Sequence, residues 1–447
     1  MRTKDQQGQK RESSADEPWL IGTARADITP TESQWMAGYA ARDAPANGTK
    51  TPLCATAVAI ADANGREVVF LNVELISIPR ALRETVVAGV ESEYDLDADA
   101  IVCTATHTHS GPILSEVRAR IYGIGDEGIE DALTYQNQVG ETLITLVGEA
   151  RADRTTASLS YSHARCGFAI NRRLPVEDGI AHVPNPDGPV DHDVPLLVAE
   201  SDGTPVCMLF GYACHATTLK MDEYCGDWPG YAVDEIERRF PEAIATFLPG
   251  CAGDQNPYPR RTLDRAKEQG TAMANAVETA VKTARQPVRG PLRTVYEEPT
   301  LKFEGPPTEA EVAAMQGDND PYWSRYGDLL AAERKRADEI RTEYPYSMHA
   351  IGFGTDLTML ALAGEVVVEY AHQLKSMIPE PLWVAAYAND SFTYIPTAQM
   401  LIEGGYEGGD VTRFRRYPGR LKPDVEKRVL RHGRMLAERV GSPVQER

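Results

Sequence analysis

From Trp19 onward the chain alternates short apolar runs rich in β-branched residues with amphipathic stretches of helical period, and this alternation constrains the fold most. Strands are expected at 56–61 and 68–73 around an Asn64-Gly65 turn, and at 100–105, 159–161, 194–200, 206–213, 245–248, 357–362 and 383–387. Helices are expected at 81–90, 129–150, 231–239, 264–284, 366–377 and 422–440. Strand following helix in this way predicts an α/β protein of layered mixed sheets flanked by helices, and argues against a sandwich of strands alone. Residues 1–18 read as a disordered polar tail and 19–447 as a single domain. Its Pro-rich stretch at 285–305 leads into a charged helical insertion at 306–345.

Charge excludes several functions. The 46 basic and 66 acidic residues leave a formal charge of −20, which gives no general attraction to nucleic acid or to an anionic membrane. No apolar run reaches the ~20 residues that span a bilayer. The polar start lacks the apolar core of a secretory signal, so a cytoplasmic location is expected. Seven cysteines with no Cys-x-x-Cys pair read as buried free thiols.

Four segments carry chemistry. Thr106-His107-Thr108-His109-Ser110-Gly111-Pro112 follows an expected strand, where active-site residues of α/β sheets gather. In extended chain His107 and His109 face the same side, so both imidazoles can enter one pocket and hold a divalent metal; hydrogen-bonded surface histidines are the alternative. His215 also ends an apolar run, flanked by Cys214 and Ala216, as a metal ligand or a satisfied core histidine. Glu365 stands between a strand and an apolar helix, either paired, metal-bound or placed at the helix start. The fourth segment, 388–396, is a polar loop ending in Tyr394-Ile395-Pro396. Gly123-Ile124-Gly125-Asp126-Glu127-Gly128 matches the dinucleotide glycine pattern, but no buried strand precedes it, so it reads as a loop before a helix. The basic cluster Arg413-Phe414-Arg415-Arg416-Tyr417 reads as a solvated face.

Taken in order, these segments resemble the catalytic domain of the neutral, non-lysosomal ceramidases, zinc-dependent amidases. The likeness begins at Gly22-Thr23-Ala24-Arg25-Ala26-Asp27-Ile28-Thr29-Pro30 and Ala37-Gly38-Tyr39-Ala40. It continues through the Thr-His-Thr-His signature, His215, Gly226-Asp227, Gly230-Tyr231-Ala232, Gly364-Glu365 and Tyr394, to Tyr406-Glu407-Gly408. The resemblance implies zinc held by His107, His215, Glu365 and Tyr394, with His109 beside the metal in catalysis. It also implies that Arg172, in Asn171-Arg172-Arg173, and Tyr406 hold the substrate. Two departures stand out. Asn256, in Gly253-Asp254-Gln255-Asn256-Pro257-Tyr258, occupies the place of the family's nucleophilic serine. No counterpart of the family's C-terminal immunoglobulin-like domain is seen.

The function expected from this resemblance is zinc-dependent hydrolysis of an amide or ester bond of a small molecule, with metal-bound water attacking because Asn256 replaces the serine. Asp254 and Asn256 are expected to line the pocket. The alternative is a non-catalytic binding or sensing protein that kept the fold and its metal.

Overall fold

A computed structural model describes residues 18–336, 340–379, 381–414 and 419–442. The tail expected at 1–18 therefore lies, but for Pro18, outside the described residues, as do Arg415, Arg416 and Tyr417. The strands, in chain order, are β1 (Trp19–Asp27), β2 (Cys54–Ala61), β3 (Glu67–Val73), β4 (Ile101–Ala105), β5 (Thr155–Arg165), β6 (Ala169–Val176) and β7 (Gly179–Asn185). There follow β8 (Asp193–Ser201), β9 (Thr204–Tyr212), β10 (Ile244–Pro249), β11 (Gln255–Pro257), β12 (Gln286–Val288), β13 (Leu292–Glu297) and β14 (Thr300–Lys302). The last six are β15 (Glu343–Pro345), β16 (Met348–Phe353), β17 (Leu357–Leu362), β18 (Glu365–Val366), β19 (Leu382–Ala385) and β20 (Tyr394–Ile395).

The architecture is the expected mixed α/β one. The large sheet runs β10-β9-β8-β5-β1-β2-β3-β4, with β12 beside β5, and a second runs β13-β16-β17-β19. The pairs β3–β4, β9–β10 and β17–β19 are parallel and the other pairs within these two sheets antiparallel. Successive side chains on a strand face opposite sides, and both sides here are covered. In β2, Val58 and Ile60 join Trp19, Phe70, Leu197, Met359 and Trp383 in a core between the two sheets. On the other face Ala55, Ala57 and Ala59 pack with residues of helices Arg80–Tyr94 and Asp126–Ala152. Helices Asp227–Arg239 and Leu263–Lys282 cover β8–β10. Helices Val368–Met377 and Val425–Arg439 close the outer face of the second sheet. The layers are thus helix, sheet, sheet, helix.

The two ends of the large sheet approach each other, Asn72 of β3 donating its side-chain amide to the Phe247 carbonyl of β10 at 2.8 Å. A short segment of the second sheet seals that edge. Asn389 N–H donates to Cys103 O of β4 at 2.6 Å, and Ala386 N–H donates to Pro249 O of β10 at 2.8 Å. The carboxyl ends of β4, β9, β10 and β17 consequently open into one region.

Several expectations are extended by the structure. The strand at 159–161 is the middle of the eleven-residue β5, and the helix at 231–239 begins at Asp227, with Pro229 in its first turn where a missing N–H costs nothing. The Pro-rich 285–305 supplies β12, β13 and β14, with Pro287 in the short β12 beside β5. The hairpin β6–β7 and strand β16 had no expectation. Gly123 ends one helix and Asp126 starts the next, as expected of a loop before a helix. In the stretch 306–345, helices Glu309–Gln316 and Pro321–Arg336 enclose their own apolar cluster of Val312, Tyr326, Leu330 and Ile340. The seven cysteines are free. Among the described residues no helix is long and apolar enough to cross a membrane.

Gly364 shows how tightly the region is built. Its φ of +80° favours glycine, and a Cβ would lie 2.7 Å from Thr393 O and 3.0 Å from Ile395 Cγ1. We predict that Gly364→Ala lowers unfolding stability by roughly 1–3 kcal/mol in urea titration, because strain and overlap act together. A change within a few tenths of a kcal/mol would refute this packing account.

Candidate active site

Two of the expected metal ligands, His107 and His215, sit on turns just beyond a strand end, and the other two, Glu365 and Tyr394, on a short strand pair. After β4, Thr106 N–H still bonds Val73 O at 2.9 Å, and His107 then turns left-handed, with φ 64°. The two signature histidines do meet, ring centres 4.9 Å apart, but through this strained turn and not through extended alternation. Beyond β9, His215 N–H donates to Gln255 O at 3.1 Å, which fastens its backbone to β11. Beyond β17, Gly364 turns the chain so that β18 pairs in parallel with β20, opposing Glu365 to Tyr394.

Hydrogen bonds at the far side of each ring fix the tautomers. His107 Nδ1 lies 2.6 Å from Ile76 O, and His215 Nδ1 lies 2.7 Å from Ala252 O. A carbonyl only accepts, so both Nδ1 atoms carry a proton and both Nε2 atoms are turned toward the centre. Burial and the Arg172 charge lower the His215 pKa to about 3, keeping its ring neutral. Both Nε2 atoms face Glu365 Oε2, each at 3.3 Å. Tyr394 Oη lies 3.3 Å from His215 Nε2. Two imidazole nitrogens, a carboxylate oxygen and a phenol oxygen facing one another are a donor set suited to a divalent cation. The ligand nitrogens of His107, His109 and His215 all fall within 4.8 Å of one another.

His109 stands beside this group. Its Nε2 is 3.2 Å from His107 Nε2. Burial and the two neighbouring histidines hold its pKa well below the ordinary value. Gly38 makes room for it, since a Cβ there would lie 2.5 Å from His109 Cβ. Tyr39 packs its ring 5.1 Å from the imidazole.

Arg172, on β6, reaches the centre from the other side. Its Nη1 donates to His215 Nε2 at 3.1 Å and Asn256 Oδ1 at 3.2 Å, and its Nη2 donates to Tyr394 Oη at 2.9 Å. Its Nε donates to Glu407 at 2.8 Å, and the second Glu407 oxygen accepts from Arg173 at the same distance. Burial alone would raise the Glu407 pKa; the Arg172 charge and the Arg173 hydrogen bond overcome it and bring the value down to about 2. Asn256 Oδ1 also accepts from Thr217 Oγ1 at 3.3 Å. Tyr406, half-buried, sets its ring edge-on to Tyr394 at 5.5 Å.

Asp254 is brought near but faces elsewhere. One oxygen accepts the Val368 N–H at 2.8 Å and the other the Asn171 amide at 3.0 Å. It thus occupies the helix-start position considered for Glu365, which lies before that helix with its carboxylate toward the histidines. Burial lifts the Asp254 pKa to about 6 against those hydrogen bonds. Sequence reasoning gave no role to Glu407, Thr217 or Tyr387. The fully buried Tyr387 ring packs 4.5 Å from His107 and 6.0 Å from His215. Glu407 had a signal in the Tyr406-Glu407-Gly408 triplet, whereas Tyr387 read only as the end of a strand.

Comparison with known proteins bears on the family and the fold. The family described as neutral/alkaline non-lysosomal ceramidase, N-terminal, matches residues 19–296. A neutral ceramidase of Pseudomonas aeruginosa is 28% identical over 258 residues, 54% of this chain but 37% of that relative, so the match spans well under two thirds of its length. A neutral ceramidase of Oryza sativa subsp. japonica is 32% identical over 98 residues, 21% of this chain and 12% of its own. The crystal structure of the Pseudomonas aeruginosa neutral ceramidase shares the fold with a TM-score of 0.73 at 18% identity, over 96% of this chain and 76% of that one. A ceramidase complexed with C2 gives 0.74 at 18% identity, over 96% and 77%. With more than half of its length matched by the family's defining pattern, this chain belongs to the neutral/alkaline non-lysosomal ceramidase family.

Proposed function

We propose that the chain is a zinc-dependent hydrolase of a linear amide or ester bond, with His107, His215, Glu365 and Tyr394 holding the metal. The observation that carries this reading is the convergence of two imidazole Nε2 atoms on one carboxylate oxygen, each at 3.3 Å. When bound, such an ion supplies Lewis acidity toward a carbonyl oxygen and brings the pKa of water toward neutrality.

The remaining roles belong to side chains. His109, a neutral imidazole next to a ligand histidine, takes a proton and passes it to the leaving group. Arg172 Nη1 is the donor nearest the centre and holds developing negative charge on the carbonyl oxygen, with Tyr406 closing the same side. Asn256 supplies an amide where the family has a serine hydroxyl. An amide does not form an acyl-enzyme, so water is the attacking group in this reading. Asp254 acts through Asn171 and the helix start as a positioning residue. We read residues 19–447 as one catalytic unit and the 306–345 stretch as an insertion that braces the Tyr406 loop. That bracing draws on the Tyr322–Phe414 ring contact at 5.1 Å and the Phe414–Tyr406 contact at 6.5 Å.

We expect His107→Ala to lose bound zinc, by elemental analysis, together with turnover of an acyl-amide and acyl-ester panel. His109→Ala should keep the metal and lose about 10²–10⁴-fold in kcat. Zinc retained by the first variant refutes the ligand assignment, and a metal-loaded protein inert toward the panel favours the binding or sensing alternative. A second prediction concerns Glu407. Glu407→Leu leaves two buried guanidinium groups without their shared carboxylate and should cost roughly 3–5 kcal/mol in denaturant unfolding. Because the folded pKa is depressed, this carboxylate's contribution is complete above the free glutamate value of ~4.3 and is lost as pH falls toward 2. The wild type should therefore lose stability more steeply over that acid range than the variant.

A further inference from the structure

The turns that follow His215 and Asn256 meet beside His109 and carry an unusual concentration of positive charge. Asp227 fastens the first turn, accepting from Thr218 N–H at 3.2 Å and Leu219 N–H at 2.9 Å. Arg261 N–H then donates to Thr218 O at 2.6 Å, which joins the second turn to the first. Tyr39 is the hub. Its Oη donates to Leu219 O at 2.9 Å and accepts from Arg261 Nη1 at 2.9 Å, while its ring packs against His109. Arg42, Lys220 and Arg261 place their cations 5.1, 5.7 and 5.6 Å from that ring. Arg42 is engaged by the carbonyls of Ala37, His109 and Met221 and by Asp222 at 3.4 Å, so it holds the turn together.

The other cations are not neutralised. Among the described residues no carboxylate comes within ion-pair distance of Lys220, Arg260 or Arg261, and Arg260 has no hydrogen-bond partner. Elsewhere the acid excess is used to pair arginines, as in Arg25 with Glu237 and Arg239 with Glu235. Arg260 is only partly exposed, and burial, Arg261 and Arg172 all work against its charge. A half-buried guanidinium crowded by like charges and left unpaired is costly, unless an anion arrives to pair with it. A chain with a net charge of −20 repels anions in general, so capturing one needs a local cluster of this kind. A neutral acyl amide needs none.

We propose that the substrate of this site carries a carboxylate, phosphate or sulfonate close to the bond that is cleaved, and that Arg260 holds this group with help from Arg261 and Lys220. The proposal rests on the hydrolase reading and adds the substrate's charge. Tyr39 separates Arg261 and Lys220 from His109 by a single ring, with Arg260 next to Arg261 in the chain, which puts the anionic group beside the bond that His109 serves. Arginine offers paired N–H donors to such an oxyanion.

The test compares N-lauroylglutamate with its neutral diamide, following laurate release by the zinc-loaded protein. The dianion should be the better substrate, and Arg260→Gln should reduce the ratio of the two kcat/KM values by about tenfold or more, mainly through KM, as loss of a charge-assisted hydrogen bond does. Arg260→Lys should recover part of it. Equal use of the two substrates, or a ratio unmoved by Arg260→Gln, overturns the proposal and leaves the hydrolase reading intact. If neither compound is cleaved, the hydrolase reading fails for this bond, and calorimetric binding of N-lauroylglutamate decides. Binding weakened about tenfold by Arg260→Gln supports the anion site, and unchanged binding overturns it. Should Arg260→Gln not fold, the exposed pair Lys220→Gln and Arg261→Gln carries the same comparison. Sedimentation with phosphatidylglycerol vesicles separates the sources of anion. Vesicle binding lost in the variant, with the substrate ratio unmoved, would mean the cations meet a lipid surface, and this too overturns the proposal.

Discussion

The structure is organised around an electrostatic imbalance. Two imidazole rings, each held by a carbonyl behind it, turn their Nε2 atoms to one carboxylate oxygen, with a third histidine and a phenol close by. Nothing in a protein interior gathers electron pairs in this way without a cost, and a positive charge at their centre removes it. Much of the surrounding detail keeps that imbalance in place. Ile76 and Ala252 hold the two rings, Tyr387 packs against both, and Gly364 lets the carboxylate strand lie against the Tyr394 strand.

The cation nearest at hand is Arg172, and its position is itself derived from a second charge arrangement. Glu407 shares its two oxygens between Arg172 and Arg173, so a short helical turn late in the chain fixes the reach of a strand from its first half. The guanidinium can then point at His215, Asn256 and Tyr394 together. Asn256 Oδ1 accepts from Arg172 and Thr217, satisfied and unreactive.

Much of the fold was legible because strands covered on both faces leave long apolar runs, as in β2, β3 and β9, and because helices flanking them keep a helical period. That His107, His215 and Glu365 meet was legible for a related reason: a polar residue directly after such a run stands out. Tyr394 had no local signal and rested on family resemblance. What stayed hidden depends on distant partners. The strand β6 buries Arg172 and Arg173, and their shared partner Glu407 lies more than two hundred residues away. The left-handed turn at His107 was invisible for want of a glycine to announce it. The cluster around Tyr39 is assembled from three separate turns, none of them unusual alone.

The seam where Asn389 bonds Cys103 and Ala386 bonds Pro249 has a consequence for mechanics. It is the tie between the sheet that bears His107 and His215 and the one that leads to Glu365 and Tyr394. The distance across which the nitrogens and the carboxylate oxygen meet is therefore set between two sheets and not within one, by how they are seated on each other.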